Sequence, residues 1–388
     1  MKNIKAAEKL NNVGEYYFSQ KNAEIAKLRA EGQDIVSLGI GSPDLPPHRI
    51  VIERLYTEAQ KPDVHVYQPY RGAKILRNAI AEWYKKYYNV ELNPEGEVLP
   101  LLGSKEGIMH IYQTFLNPGD KVLIPNPGYP TYKSAAYLTG AIPVDFKLLE
   151  EENWMPDFDG LEKMDLEGVK VMIVNYPNMP TGARASIEIF EKLVDFAKRH
   201  NILLVHDNPY SFTRTSEHLS LLSVEGAREI AIEMNSLSKS HNMAGWRVGM
   251  VCGAKEILDK IMIFKSNMDS GMFYPVQAAA AAALTELGDE WYDELNEKYF
   301  RRAKLIEQLF DTIGCKYAPG QEGLFVWAKI PDTAKDSYEF SDKYLYGCGV
   351  FLVPGAIFGS QGERYVRACL CAPEEHLQKA IDKIKASF

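Results

Sequence analysis

The stretch KVMIVNYPNMPTGARASIEIFEKLVDFAKRHNILLVHD, residues 170–207, changes its apolar rhythm twice. It opens on a β-branched apolar run, turns through two prolines and a glycine, and then repeats apolar residues at Phe190, Leu193, Val194 and Ala197. It closes on a second apolar run that ends at Asp207. A continuous apolar run suits a strand buried on both faces, and a 3.6-residue period suits a helix covering it. Strand, helix and strand in this order predict two parallel strands joined by a crossover, because a helix returns the chain to the end it started from.

Working outward, the same rhythm predicts strands over 121–125, 229–235 and 247–253 and a helix over 106–116. The fold class expected is α/β, with a mostly parallel sheet sandwiched by helices. Ligands in such sheets bind beyond the carboxyl ends of the strands. Asn175, Tyr176, Asp207 and the segment from Ser236 to Lys239 all follow an apolar run there. The alanine run Ala278–Ala283 reads as a tightly packed helix. A long helix over 290–313 stops at Gly314, followed by strands over 324–330, 350–353 and 365–370 and a helix over 374–386. These form a smaller α/β domain at the C-terminus. A chain of 388 residues exceeds what one core organises. The expected division is a large domain over 46–285 and a small domain built from 1–45 and 286–388.

A net charge of -8 without any Lys/Arg block excludes nucleic acid and anionic membrane as main partners. No run approaches the roughly 18–20 apolar residues that span a bilayer, and the first residues carry no apolar leader. The five cysteines form no CxxC pair and leave an odd count, so they read as reduced thiols in a cytoplasmic protein without a metal. Strand alternation would point Cys369 and Cys371 to one face.

Within SLSKSHNMAGWRVG, residues 236–249, Lys239 taken alone reads as a surface lysine. Its place directly after a buried strand, with Arg247 eight residues on, favours chemistry. A desolvated lysine loses its proton and forms imines with carbonyls, and the forked donors of arginine suit a phosphate dianion. Asp207 is either a turn or cap residue, or a buried carboxylate that keeps a pyridine nitrogen protonated. Tyr210, three residues on, could donate to the phenolate oxygen of the same ring. Gly103, Ser104 and Lys105 end a strand-like stretch and open a helix, where backbone N–H groups cradle anions. Arg367 sits inside an apolar strand and needs a partner: a substrate carboxylate or an internal acid would serve equally.

Together, SLGIGSPDLPP, YQPYRGAKILRNAI, GSKEGI, PNPGYPTY, NYPNMPTGA, HDNPYSF, SLSKSHNMAGWRVG, VFLVPGAIFG and RYVRACL resemble, in order and spacing, the class I/II aminotransferases of pyridoxal-5′-phosphate (PLP) fold type I. The resemblance covers nearly the whole chain. It implies a homodimer acting on an amino acid and a 2-oxo acid. Lys239 would be the Schiff-base lysine and general acid/base, Asp207 the partner of the pyridine nitrogen, and Tyr210 the neighbour of the ring hydroxyl. Ser236, Arg247 and the Ser104–Lys105 backbone would hold the phosphate, and Tyr129 would stack on the ring. Tyr67 would reach the phosphate of the neighbouring subunit's cofactor, and Arg367 would clamp the substrate α-carboxylate beside the Gly41 backbone. One position departs from the family: Met179 stands where relatives carry an asparagine that donates to the ring hydroxyl oxygen, and a thioether cannot donate. A carbon–sulfur β-lyase on the same scaffold would share these residues. Arg71, Arg184 and Arg214 lie near motif segments, but no pattern places one of them in the pocket as a second carboxylate site.

Overall fold

The computed structural model describes residues 4–215 and 217–388. Its strands in chain order are β1 (Val36–Ser37), β2 (Val98–Leu101), β3 (Lys121–Asn126), β4 (Ile142–Leu149), β5 (Met155–Pro156), β6 (Val169–Asn175), β7 (Leu203–Asp207), β8 (Ala231–Ser236), β9 (Gly249–Gly253), β10 (Lys316–Tyr317), β11 (Phe325–Lys329), β12 (Val350–Phe351), β13 (Val353–Pro354) and β14 (Tyr365–Cys369). Eight of them form a sheet in the order β2-β9-β8-β7-β6-β3-β4-β5. The inner strands from β8 to β4 run parallel, whereas β9 reverses against β8 and β2 reverses against β9. This is the mostly parallel sheet expected from sequence.

The crossover between β6 and β7 shows why. Ser186 caps the helix Ile187–His200 by accepting from the Ile189 N–H, and Asn201 ends it in the left-handed conformation at φ 51. Phe190, Leu193, Val194 and Ala197, the periodic residues, are buried. The alanine run lies in the buried helix Tyr274–Glu286, which packs on the helices Arg49–Ala59 and Lys74–Tyr88. Side chains this small let helix axes approach closely. No helix among the described residues is long and apolar enough to cross a membrane.

A second, antiparallel sheet has the order β10-β11-β14-β13. The N-terminal segment joins that side of the molecule through β1, with Val36 opposite Val350 and Ser37 opposite Phe351.

Three expectations change. The strand expected over 350–353 is two strands, because β12 pairs with β1 while β13 pairs with β14, and the chain changes partner at Leu352. The strand expected over 247–253 begins at Gly249, because Arg247 turns through the left-handed region at φ 57. Finally, β14 ends at Cys369 and the chain bends at Leu370. Alternation therefore does not govern Cys371.

Candidate active site

The carboxyl ends of β6, β7 and β8 open into a cavity of about 380 Å³, lined at those ends by Asn175, Asp207 and Ser236. Asp207 is buried at its deep end. Its Oδ2 accepts a 2.8 Å hydrogen bond from the Tyr132 hydroxyl, and its Oδ1 has no partner among the described residues. Burial pushes its carboxyl up to about 6, against the opposing pull of the Tyr132 hydrogen bond and of His206. Asn175 holds the strand ends together, donating to the Asp207 carbonyl at 2.7 Å and accepting from the Met179 N–H at 2.7 Å.

Lys239 sits in the short helix Leu237–Ser240, which Ser236 caps by accepting from the Ser238 N–H. Its ammonium donates to the Gly41 carbonyl at 2.5 Å. Burial lowers its pKa, which favours the neutral amine that imine formation and proton abstraction require. Gly41 lets the backbone approach closely: a Cβ would lie 2.2 Å from the Phe325 ring, which would have to shift to admit it.

The anion-binding end is built from backbone. Ser104 opens the helix Ser104–Phe115, so its first N–H groups have no intrahelical acceptor and form the positive end of the helix dipole. Gly103 at φ +88 leaves room for Arg247, whose Nη2 would be 2.2 Å from a Cβ there. Gly249 admits the helix start equally closely, since its Cβ would lie 2.8 Å from the Ser104 nitrogen. Arg247 is held by the carbonyls of Ala244 at 2.9 Å and Leu102 at 3.3 Å. The Ser236 hydroxyl lies 2.8 Å from that of Ser238.

At the opposite end, Arg367 is buried without an acid partner among the described residues. Its Nη2 donates to the Gly39 carbonyl at 2.8 Å, its Nη1 meets the Met179 sulfur at 3.0 Å, and its Nε has no partner among the described residues. Burial brings its guanidinium down to about 10. An internal Asp or Glu is therefore not what balances it. Tyr210 is buried next to Phe325, ring centroids 5.9 Å apart, and Tyr129 stands edge-on to Tyr132 at 5.5 Å. The Lys105 ammonium rests 4.5 Å over the Tyr16 ring.

Of the residues given catalytic, cofactor or substrate roles from the sequence, Gly41, Ser104, Lys105, Tyr129, Asp207, Tyr210, Ser236, Lys239, Arg247 and Arg367 line this cavity. Tyr67 does not and is 89% exposed, and Gly103, Tyr176, Arg71, Arg184 and Arg214 also lie outside its lining. Sequence reasoning missed Tyr132, although it closes the PNPGYPTY motif, and passed over Asn175 beyond noting its place at a strand end. Tyr16 and Phe18 were also missed; they carry no motif and reach the cavity only because the N-terminal segment folds across it.

A family model described as aminotransferase class I and II matches residues 33–384. An LL-diaminopimelate aminotransferase of Dehalococcoides mccartyi is 40% identical over 383 residues, 98% of each chain. That of Oleidesulfovibrio alaskensis is also 40% identical, over 97% of this chain and 98% of the relative. Among solved structures, substrate-bound BacF from Bacillus subtilis superposes with a TM-score of 0.94 at 36% identity, covering 99% of this chain and 98% of that one. A single mutant of Thermus thermophilus aspartate aminotransferase gives a TM-score of 0.91 at 28% identity, covering 99% and 100%.

Proposed function

This chain belongs to the class I and II aminotransferase family and is an aminotransferase of fold type I, and from that premise we propose that it holds PLP at the site just described and moves an amino group from an amino acid to a 2-oxo acid. The observation that carries the reading is the single cavity holding a buried Asp207 with a free Oδ1, a desolvated Lys239 and an acid-free Arg367.

The residues fit the cofactor. Asp207 Oδ1 is an acceptor without a donor, as a protonated pyridine nitrogen would require. Ser236, Arg247 and the Ser104–Lys105 backbone would hold the phosphate, Tyr129 would cover the ring and Tyr210 would face its hydroxyl. When bound, PLP supplies an aldehyde that condenses with amines and a ring that takes up the electron pair released at Cα.

The chain's own part is positioning and proton transfer. Arg367 fixes the α-carboxylate with forked donors, next to the Gly41 backbone. Lys239 Nζ, once displaced by the substrate amine, would take the Cα proton and return it one position along. Water then supplies the keto oxygen as the keto acid is released, and the amino group stays behind in the site for the second acid. A second keto acid runs the sequence backward, which gives ping-pong kinetics. The full-length relatives, which are aminotransferases, favour this over the carbon–sulfur β-lyase reading.

We further propose a cytoplasmic homodimer whose large domain spans 46–285 and whose small domain combines 1–45 with 286–388. In the dimer, Tyr67 serves the partner's cofactor. Supporting the dimer, the exposed Tyr67 and Tyr70 belong to a segment that packs on exposed Phe273, through the His65–Phe273 ring contact and the close approach of Gly271 to Gln68. The pairing of β1 with β12 ties the N-terminal segment to the C-terminal one.

The test is amino transfer from a panel of amino acids, LL-diaminopimelate included, to 2-oxoglutarate and pyruvate. The PLP-loaded wild type is expected to absorb as a lysine-bound cofactor and to transfer, whereas Lys239→Ala does neither. Turnover retained in Lys239→Ala would end the proposal.

A further inference from the structure

The charged side chains that line the cavity are Lys105, Asp207, Lys239, Arg247 and Arg367. Asp207, Lys239 and Arg247 serve the cofactor end in the reading above, and Arg367 serves the α-carboxylate. No other acid lines the cavity among the described residues. The arginines near the motif segments are turned elsewhere. Arg71 is paired with Asp259 at 2.5 Å, Arg184 with Glu217, and Arg214 sits behind β11, facing the Phe325 carbonyl at 3.4 Å.

What surrounds Arg367 instead is apolar. Its guanidinium lies 3.9 Å from the Phe325 ring centroid, 4.7 Å from Phe358 and 5.4 Å from Phe18. Tyr16, Ile40 and the Met179 thioether complete the walls. The segment VHVYQPYRG, residues 64–72, which the dimer would offer to a partner's cavity, brings Tyr67 and Tyr70 but no carboxylate, and its one arginine, Arg71, is held by Asp259. A substrate side chain leaving an α-carbon fixed at Arg367 therefore meets rings and aliphatic groups. A distal ammonium would lose its hydration there without gaining an acid, and a distal carboxylate has Lys105 alone to reach, whereas a ring or branched chain gains burial and edge or face contacts.

We propose that the amino donor carries a neutral aromatic or large aliphatic side chain, and that Tyr16, Phe18 and Ile40 select it. This rests on the aminotransferase reading and narrows its substrate class. It separates the chain from a donor with a distal zwitterion such as LL-diaminopimelate, which needs a cation and an anion at its far end. The one cation left over is Lys105, so a dicarboxylate held by Lys105 is the competing outcome.

Single-turnover rates with PLP-loaded protein decide between these. Phenylalanine or leucine is expected to exceed aspartate and LL-diaminopimelate in kcat/KM by on the order of 100-fold, since a site that leaves a polar end unpaired discriminates strongly. Phe18→Ala should lower the phenylalanine-to-alanine ratio by about 10-fold, mostly through KM. A binding readout stands apart from turnover: 3-phenylpropanoate should raise the melting temperature of the loaded protein and glutarate should not. Preference for LL-diaminopimelate overturns the proposal, as does preference for aspartate that Lys105→Met removes. If no donor reacts at all, the aminotransferase reading fails. The melting shift then judges the cavity on its own, and stabilisation by glutarate over 3-phenylpropanoate overturns the substrate class.

Discussion

Two carboxylates lie buried on neighbouring strands, Glu233 on β8 and Asp207 at the end of β7, and the fold treats them oppositely. Glu233 is saturated. It accepts from the Tyr84 hydroxyl at 3.0 Å, the Ser220 hydroxyl at 3.0 Å and the Leu221 N–H at 2.9 Å, and its Oε2 lies 2.8 Å from His206 Nδ1. Asp207 has one side-chain donor, Tyr132, and a bare Oδ1 facing the cavity. Buried polar groups are normally satisfied, so the saturated Glu233 reads as structural, while the unpaired Oδ1 of Asp207, which lines the cavity, is an acceptor open to a donor. The same distinction separates Arg302, forked onto Asp44 at 2.7 and 2.9 Å, from Arg367, which has no acid.

Substitution should split the two acids cleanly. Asp207→Asn is expected to lower kcat/KM for amino transfer by on the order of 10³-fold, the scale for losing one preorganised electrostatic group, with the fold retained. Glu233→Ala strands His206, Ser220, Tyr84 and the Leu221 N–H, and is expected to cost about 3–5 kcal/mol of stability. Its rate per folded molecule should stay near wild type. Denaturant melts beside rates normalised to folded protein would check both. The contrast collapses if Glu233→Ala loses activity without losing stability, or if Asp207→Asn unfolds.

The pH dependence follows from the burial of Asp207. Asp207 titrates at about 6 in the folded cofactor-free protein and near 3.8 when unfolded. Between those values the folded state binds the extra proton, so stability falls as pH rises through the window, and the penalty is complete above about 6. At full development it amounts to about 3 kcal/mol. Asp207→Asn removes the titration, so its urea midpoint should gain on wild type from pH 4 to pH 7. Parallel curves for the two proteins would contradict the raised pKa.

Much of this contrast was invisible in the sequence, for a physical reason. Residues 170–207 dictate strand, helix and strand through their own periods, and Ser186 and Asn201 cap the helix locally. Gly103, Lys239 and Arg247 were legible because backbone conformation and residue chemistry coincide within a few residues. Glu233 was not: its partners come from positions 84, 206, 220 and 221, which only the assembled sheet brings together. Arg367 could be read as needing a partner, but the choice between internal acid and substrate required the surrounding rings to be in place. Tyr16 and Phe18 have no local signal at all, since their role depends on where the N-terminal segment crosses. The break between β12 and β13 is likewise a matter of which strand lies alongside.

The smallest effect probes the one bond Asp207 does have. Tyr132 donates to Oδ2, and that hydrogen bond lowers a pKa that burial raises. Tyr132→Phe keeps the ring and its edge contact with Tyr129 but removes the donor. Hydrogen bonds to charged groups contribute about 1.5–3 kcal/mol, so the carboxyl should rise by roughly 1–2 units beyond its present value. In the cofactor-free protein, the fall in urea midpoint should then continue past pH 6 toward about 7–8. The matching change at the saturated acid, Tyr84→Phe, leaves Glu233 three other donors and should not move the window. If both variants shift it equally, saturation is not what distinguishes the two acids. If neither does, Tyr132 fixes the orientation of Asp207 rather than its charge, and burial alone accounts for the raised carboxyl.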